Sequence, residues 1–135
     1  MNGYGAVLLL CMFVCVTGVA TADIPNLVGN WTGPYLEYNA SEGYSENEGG
    51  FFFLNITEQQ DRIFSGNSSY VKADGTPVLM KMAGVISADG KEISVVEQNN
   101  GYSHGTILGP DAFELIYLND KEPISVAVDQ FKRVS

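Results

Sequence analysis

The sequence predicts an all-β domain: an eight-stranded antiparallel up-and-down β-barrel behind an N-terminal signal peptide. Three observations carry this. Apolar and polar residues alternate in short runs, with no stretch at helical spacing. Turn dipeptides divide the runs at even intervals. The connections are short, so sequential neighbours pair, and eight such strands can close on themselves and leave no edge exposed.

The first element is a leader. Residues 1–22, MNGYGAVLLLCMFVCVTGVATA, hold an apolar run from Ala6 to Val16 and end in Ala20-Thr21-Ala22, which a signal peptidase accepts; cleavage is expected before Asp23. No Lys or Arg precedes the run, and the alternative is an uncleaved membrane anchor. Removing 22 of the 135 residues leaves 113, enough for one domain with one core, expected over 23–135. Cys11 and Cys15 go with the leader, so the mature chain has no disulfide and no thiol chemistry.

The strands follow at about 28–36, 50–58, 63–72, 78–87, 92–98, 101–108, 112–119 and 124–132. Asp74-Gly75, Asp89-Gly90 and Asn100-Gly101 supply hairpin turns with residues that tolerate positive φ; Gly109-Pro110-Asp111 and Asn119-Asp120 mark two more. Residues 39–50, NASEGYSENEGG, are polar, acidic and glycine-rich and read as a long loop at one mouth of the barrel. Gly66, Gly84 and Gly105 lie inside strands, where glycine marks a bend or a close backbone approach.

Four sequons stand in the mature chain, at Asn30, Asn39, Asn55 and Asn67. A glycosylated asparagine must face solvent, which orients the strands that carry it. With Asn30, Asn55 and Asn67 outward, Trp31, Phe52, Leu54, Ile56, Phe64, Ser68 and Tyr70 point inward. Two later strands stay open. Phe113, Leu115 and Tyr117 oppose Glu114, Ile116 and Leu118; Ser125, Ala127, Asp129 and Phe131 oppose Ile124, Val126 and Val128. If the valine set is outside, it forms an apolar strip suited to self-association.

Seven basic against sixteen acidic residues, a net charge of −9, all outside the leader, argue against nucleic acid and against docking on anionic lipid. One histidine, His104, excludes multi-histidine metal sites, and no spacing suggests zinc or an EF-hand. No nucleophile elbow accompanies His104, and no carboxylate pair stands out, so neither catalytic residues nor a cofactor are expected. Glu97 ends an apolar strand, with solvent exposure as its expected fate.

GNWTG (29–33) resembles the first strand of the avidins, and VAVDQFKRV (126–134) resembles the last strand of streptavidin, with Asp129 at the position of the biotin-binding aspartate and Phe131 after it. With the Gly-punctuated barrel pattern, this places the chain beside the calycin group of avidins and lipocalins. The resemblance implies that Trp31 plugs one end of the barrel, with Lys132 or Arg133 over its ring. The family builds its biotin site from several tryptophans, where this chain has one, and Gly33 stands where the family has an asparagine contacting the ureido group. What it implies is therefore a barrel with a pocket of another shape, not avidin-strength biotin binding.

The reading is of a secreted or cell-surface, non-catalytic barrel that binds a small apolar or amphipathic molecule, free of the membrane once cleaved. Tyr35, Tyr38, Ser68, Tyr70, Asp129 and Phe131 are the ligand-binding candidates. One alternative is an envelope accessory protein with a packed barrel, acting through protein contacts that include homo-oligomers. Another is an isomerase or cyclase, which needs a titratable group inside; Glu97, His104 and Asp129 are its candidates.

Overall fold

A computed structural model of the chain describes residues 23–71 and 74–134; the expected leader over 1–22 lies outside them. Eight strands follow in order: β1 (Gly29–Asn39), β2 (Gly43–Gln60), β3 (Ile63–Val71), β4 (Pro77–Ile86), β5 (Glu92–Glu97), β6 (Tyr102–Gly109), β7 (Ala112–Asn119) and β8 (Ser125–Arg133). Each pairs antiparallel with the next, and β8 returns to β1, so the sheet is a closed barrel. No helix occurs among the described residues.

The expected loop over 39–50 is not a loop. β1 runs on to Asn39, β2 begins at Gly43, and only residues 40–42 turn between them. Gly43 takes φ 85°, and the Asn39 carboxamide oxygen accepts from the Ser41 amide and hydroxyl, an Asx turn that needs no further residues. Tyr38 and Tyr44 pack together on the outer face, ring centroids 5.0 Å apart. The segment hides its strands because its sequence is polar at odd and even positions alike, so the usual alternation of a half-buried strand is missing. The β5–β6 hairpin, expected to turn on Asn100-Gly101, differs in detail as well. Asn99, at φ 57°, takes the left-handed position there, not Gly101.

Side-chain alternation is clearest on β8, where Ser125, Ala127, Asp129 and Phe131 are buried and the residues between them exposed. On β7, Phe113 and Leu115 are buried and Ile116 is exposed. The two undecided strands thus share one answer: Phe113 lies opposite Phe131 and Leu115 opposite Asp129. On β1 to β3 the inward set includes Trp31, Leu54, Ile56, Phe64 and Ser68, all essentially inaccessible, while Asn30 and Asn55 face out. Close packing explains one interior glycine directly. A Cβ on Gly84 would lie 2.1 Å from the Phe64 ring, which covers that backbone from the next strand.

Candidate functional site

The barrel has two unlike ends. Turns 61–62, 87–91 and 110–111 cluster at one end with both described chain termini; turns 40–42, 98–101, 120–124 and the described part of 72–76 cluster at the other.

The first end is closed. The segment 23–28 crosses it, and Leu27 is fully buried within the core. The Trp31 indole N–H donates to the Leu27 carbonyl at 2.9 Å. Gln59 accepts from the Leu27 amide and donates to the Pro25 carbonyl. The Arg133 guanidinium lies 4.2 Å from the Trp31 ring centre and donates to the carbonyls of Val28, Asn26 and Pro110 and to the Asp111 carboxylate. Its planar fork holds two chain segments, 23–28 and 110–111, at once, which a lysine cannot do. Lys132, the other residue implied for this place, is exposed on the outer face. From Trp31 a column of rings climbs the interior: Phe113 at 4.6 Å, then Phe131 at 5.1 Å, Phe52 at 6.0 Å and Tyr70 at 6.0 Å, each measured from the ring before.

Above this column the lining changes. Tyr35, Glu37, Tyr70, Met80, Glu97 and Tyr117 occupy inward positions but are only half-buried, so water reaches them from the mouth. Asp129 lies at their foot, opposite Tyr35 on β1, and is 8 % exposed. Burial, with the negative charges of Glu97 and Glu37, pushes its carboxyl up to about 7. Burial, with Glu42 nearby, raises Glu37. The Tyr70 and Tyr117 hydroxyls are raised too, chiefly by burial and further by Glu97 and Glu37. Tyr117 donates to the Asn100 side-chain oxygen, and Asn100 donates to Glu97 at 2.8 Å, which fixes two of the mouth groups in place. Ser68, two residues below Tyr70 on the same face, is fully buried, and its hydroxyl has no hydrogen-bond partner among the described residues.

Of the sequence candidates, Tyr35, Ser68, Tyr70, Asp129 and Phe131 come together on the inward face. Tyr38 does not; its position is outward, against Tyr44. His104 is exposed on the outer wall, where Nδ1 meets the Ser94 hydroxyl at 3.1 Å, so it cannot serve an interior reaction. Glu97, expected in solvent, is instead on the inward face and half-buried, because β5 keeps the phase set by Ile93 and Val95. Glu37 was missed altogether. Counting in steps of two from Trp31 finds it, once β1 is allowed to run past residue 36. Gly33 cannot carry the family's asparagine, since a Cβ there would sit 1.6 Å from the Gln130 carbonyl oxygen.

No protein-family model matches the chain, and no curated protein matches it. Solved structures do. A redesigned β-barrel, b11L5F_LGL, is similar with a TM-score of 0.58 and 14% identity, covering 81% of this chain and 92% of that one. EF1p2_mFAP2b, solved bound to DFHBI, gives 0.54 and 13%, with 80% and 94% covered. A fluorescence-activating β-barrel designed de novo gives 0.50 and 14%, with 79% and 93% covered. At such identities the likeness is one of fold: a closed β-barrel.

Proposed function

We propose that the protein is a secreted, non-catalytic barrel that binds a small amphipathic molecule through its open end. One observation carries this reading: the inward lining passes from inaccessible apolar residues at the closed end to half-buried aromatic and polar residues at the mouth. A pocket needs an apolar floor and a few convergent polar groups, and this arrangement supplies both. That a barrel of similar fold is solved bound to DFHBI adds support. Tyr35, Tyr70 and Phe131 would be the contacting surfaces, with Asp129 and Ser68 as polar contacts. A thermal-shift screen of the purified protein against amphipathic metabolites tests it: a stabilising compound whose effect disappears in Tyr70→Ala is expected. A screen with no stabilising compound overturns it.

A second reading rests on the outside of the same wall. The phase of β8 leaves Val126 and Val128 exposed, and Val126 lines a groove of about 360 Å³ with the exposed Ile124 and Tyr38 and with Leu118. An apolar strip of this kind suits a second copy of the chain. Sedimentation over a range of concentrations, with Val126→Lys as control, tests it; a strict monomer throughout removes it.

The sequons at Asn30, Asn55 and Asn67 would carry glycans on the outer wall. Asn30, Asn55 and Asn67 are direct neighbours across β1, β2 and β3, and Asn55 donates to Asn30 at 2.6 Å. Strands lie only ~4.8 Å apart, so one bulky glycan on this row crowds out the others. Asn39 stands apart, in the hairpin turn at the mouth.

A further inference from the structure

We propose that the mouth of the barrel selects an organic cation: an ammonium or amidinium group carried on an apolar body. This rests on the reading of the mouth as a ligand site and names the class of ligand.

Three carboxylates enter the mouth from separate strands, Glu37 on β1, Glu97 on β5 and Asp129 on β8, and the fields of the first two meet at the third. Nothing in the described chain neutralises them. The salt bridge among the described residues, Arg133 to Asp111, lies at the opposite end. Lys81 and Lys132 are exposed on the outer wall, Arg62 and Lys91 belong to closed-end turns, and Lys121, in the mouth-end β7–β8 connection, is exposed and forms no salt bridge with a described residue. Lys72 lies outside the described residues.

Negative charge that is buried without a counter-ion is costly, and a fold that keeps one buried carboxyl, Asp129, beneath two half-buried ones around one opening is arranged for a positive partner. Two further observations point to a ligand there. Ser68 presents a fully buried, unpartnered hydroxyl on the inward face, which a ligand donor or acceptor would satisfy. The Asp129 side chain, on a residue nine-tenths buried, makes no hydrogen bond or ion pair to another described residue.

The surroundings decide which cation. Among the described residues no three acidic, histidine or cysteine side chains are grouped closely enough to hold a metal ion, so the carboxylates are spread for something larger. Phe52, stacked on Tyr70 and 6.0 Å from Phe131, sets aromatic surface beside them. Carboxylates together with ring faces are the recognition chemistry of an alkylammonium group, and the ring column below offers its apolar body a place to rest.

The test compares three probes of one shape on the purified protein by calorimetry: phenethylamine, 2-phenylethanol and 3-phenylpropionate. The amine is expected to bind roughly tenfold or more tightly than the alcohol at pH 8, with the acid weakest. Lowering the pH to 5.5 protonates Asp129 while the amine stays charged, and the preference should shrink. Asp129→Asn and, independently, Glu37→Gln should bring amine and alcohol towards parity without weakening the alcohol. If alcohol and amine bind equally to the unaltered protein, the cation inference is overturned while the mouth remains a ligand site. If the amine binds and both variants leave its affinity unchanged, it sits elsewhere on the acidic surface and the inference is again overturned. If none of the probes binds and the metabolite screen is also empty, both readings fall.

Discussion

The closed end and the mouth of this barrel are built from one set of eight strands, yet they use their polar groups in opposite ways. At the closed end each strong donor is used: the Trp31 indole, the Gln59 amide and the Arg133 guanidinium all reach backbone carbonyls, and the apolar residues among them are inaccessible. At the mouth, among the described residues, the Ser68 hydroxyl has no partner, Asp129 is buried without a counter-ion, and the charges of Glu97 and Glu37 bear on it. The first region obeys the rules that make a fold stable. The second departs from them, and such departures concentrate where a protein does its work. Removing a closed-end side chain should cost stability, whereas removing the unpartnered polar group of Asp129 or Ser68 from the mouth should restore it.

The largest effect should come from the plug. Trp31→Ala leaves a large void beside Phe113, frees the clamp on residues 23–28 and is expected to cost about 3–5 kcal/mol. Chemical denaturation followed by far-ultraviolet circular dichroism measures this, and a loss under about 1 kcal/mol would mean that the closed end is not the anchor of the fold.

Asp129→Asn should act in the other direction, and its effect should depend on pH. In the unfolded chain the carboxyl loses its proton near 3.8, whereas in the fold it keeps it to about 7. Between those values the folded state binds more protons, so stability falls as pH rises and levels off above the upper one. Each pH unit in that window is worth at most about 1.4 kcal/mol. Asp129→Asn should flatten the profile and stabilise the protein at pH 8 by about 2–4 kcal/mol. The raised Glu37 contributes in the same direction, so the variant's profile should retain a small residual slope. Stability that instead rises with pH between 4 and 7 would refute the account of the mouth.

Arg133→Lys keeps the charge near Trp31 but cannot hold the three carbonyls, and a loss of about 1–3 kcal/mol in thermal or denaturant midpoint is expected. The smallest effect belongs to Ser68→Ala. Deleting a buried hydroxyl that bonds to nothing should leave stability unchanged or raise it by about 1 kcal/mol. A clear loss there would show that the hydroxyl is satisfied in solution.

Several features of the molecule could be read directly from the chain. The turn dipeptides at 74–75 and 89–90 set off strands whose backbone there takes positive φ, at Gly75 and Gly90. Outward asparagines at 30, 55 and 67 oriented the first three strands, because a period of two lets one polar anchor fix a whole face. The mouth was harder to read. Glu37, in the stretch between Tyr35 and Tyr38, lies beyond the point where β1 was expected to stop, and residues 39–50 carry no alternation because polar residues fill both of their registers. Glu97 follows Val95 and Val96, apolar residues on opposite faces, and so gives no sign of its own that its face is the inner one.

The sequence by itself determined the all-β class, the number of strands and their antiparallel order. Local turn chemistry and side-chain alternation are short-range, and each segment of the chain contains all that they require. Closure decided the rest. On β7 and β8 both faces are apolar enough to be buried, and only pairing of β8 with β1 and β7 at once brings Phe131 beside Phe113 and turns the valines outward. That same closure carries Asp129 inside against its own preference for water, and it assembles the acidic mouth from strands distant in the sequence. Burial and charge–charge repulsion belong to the assembled barrel, so no single segment could announce them.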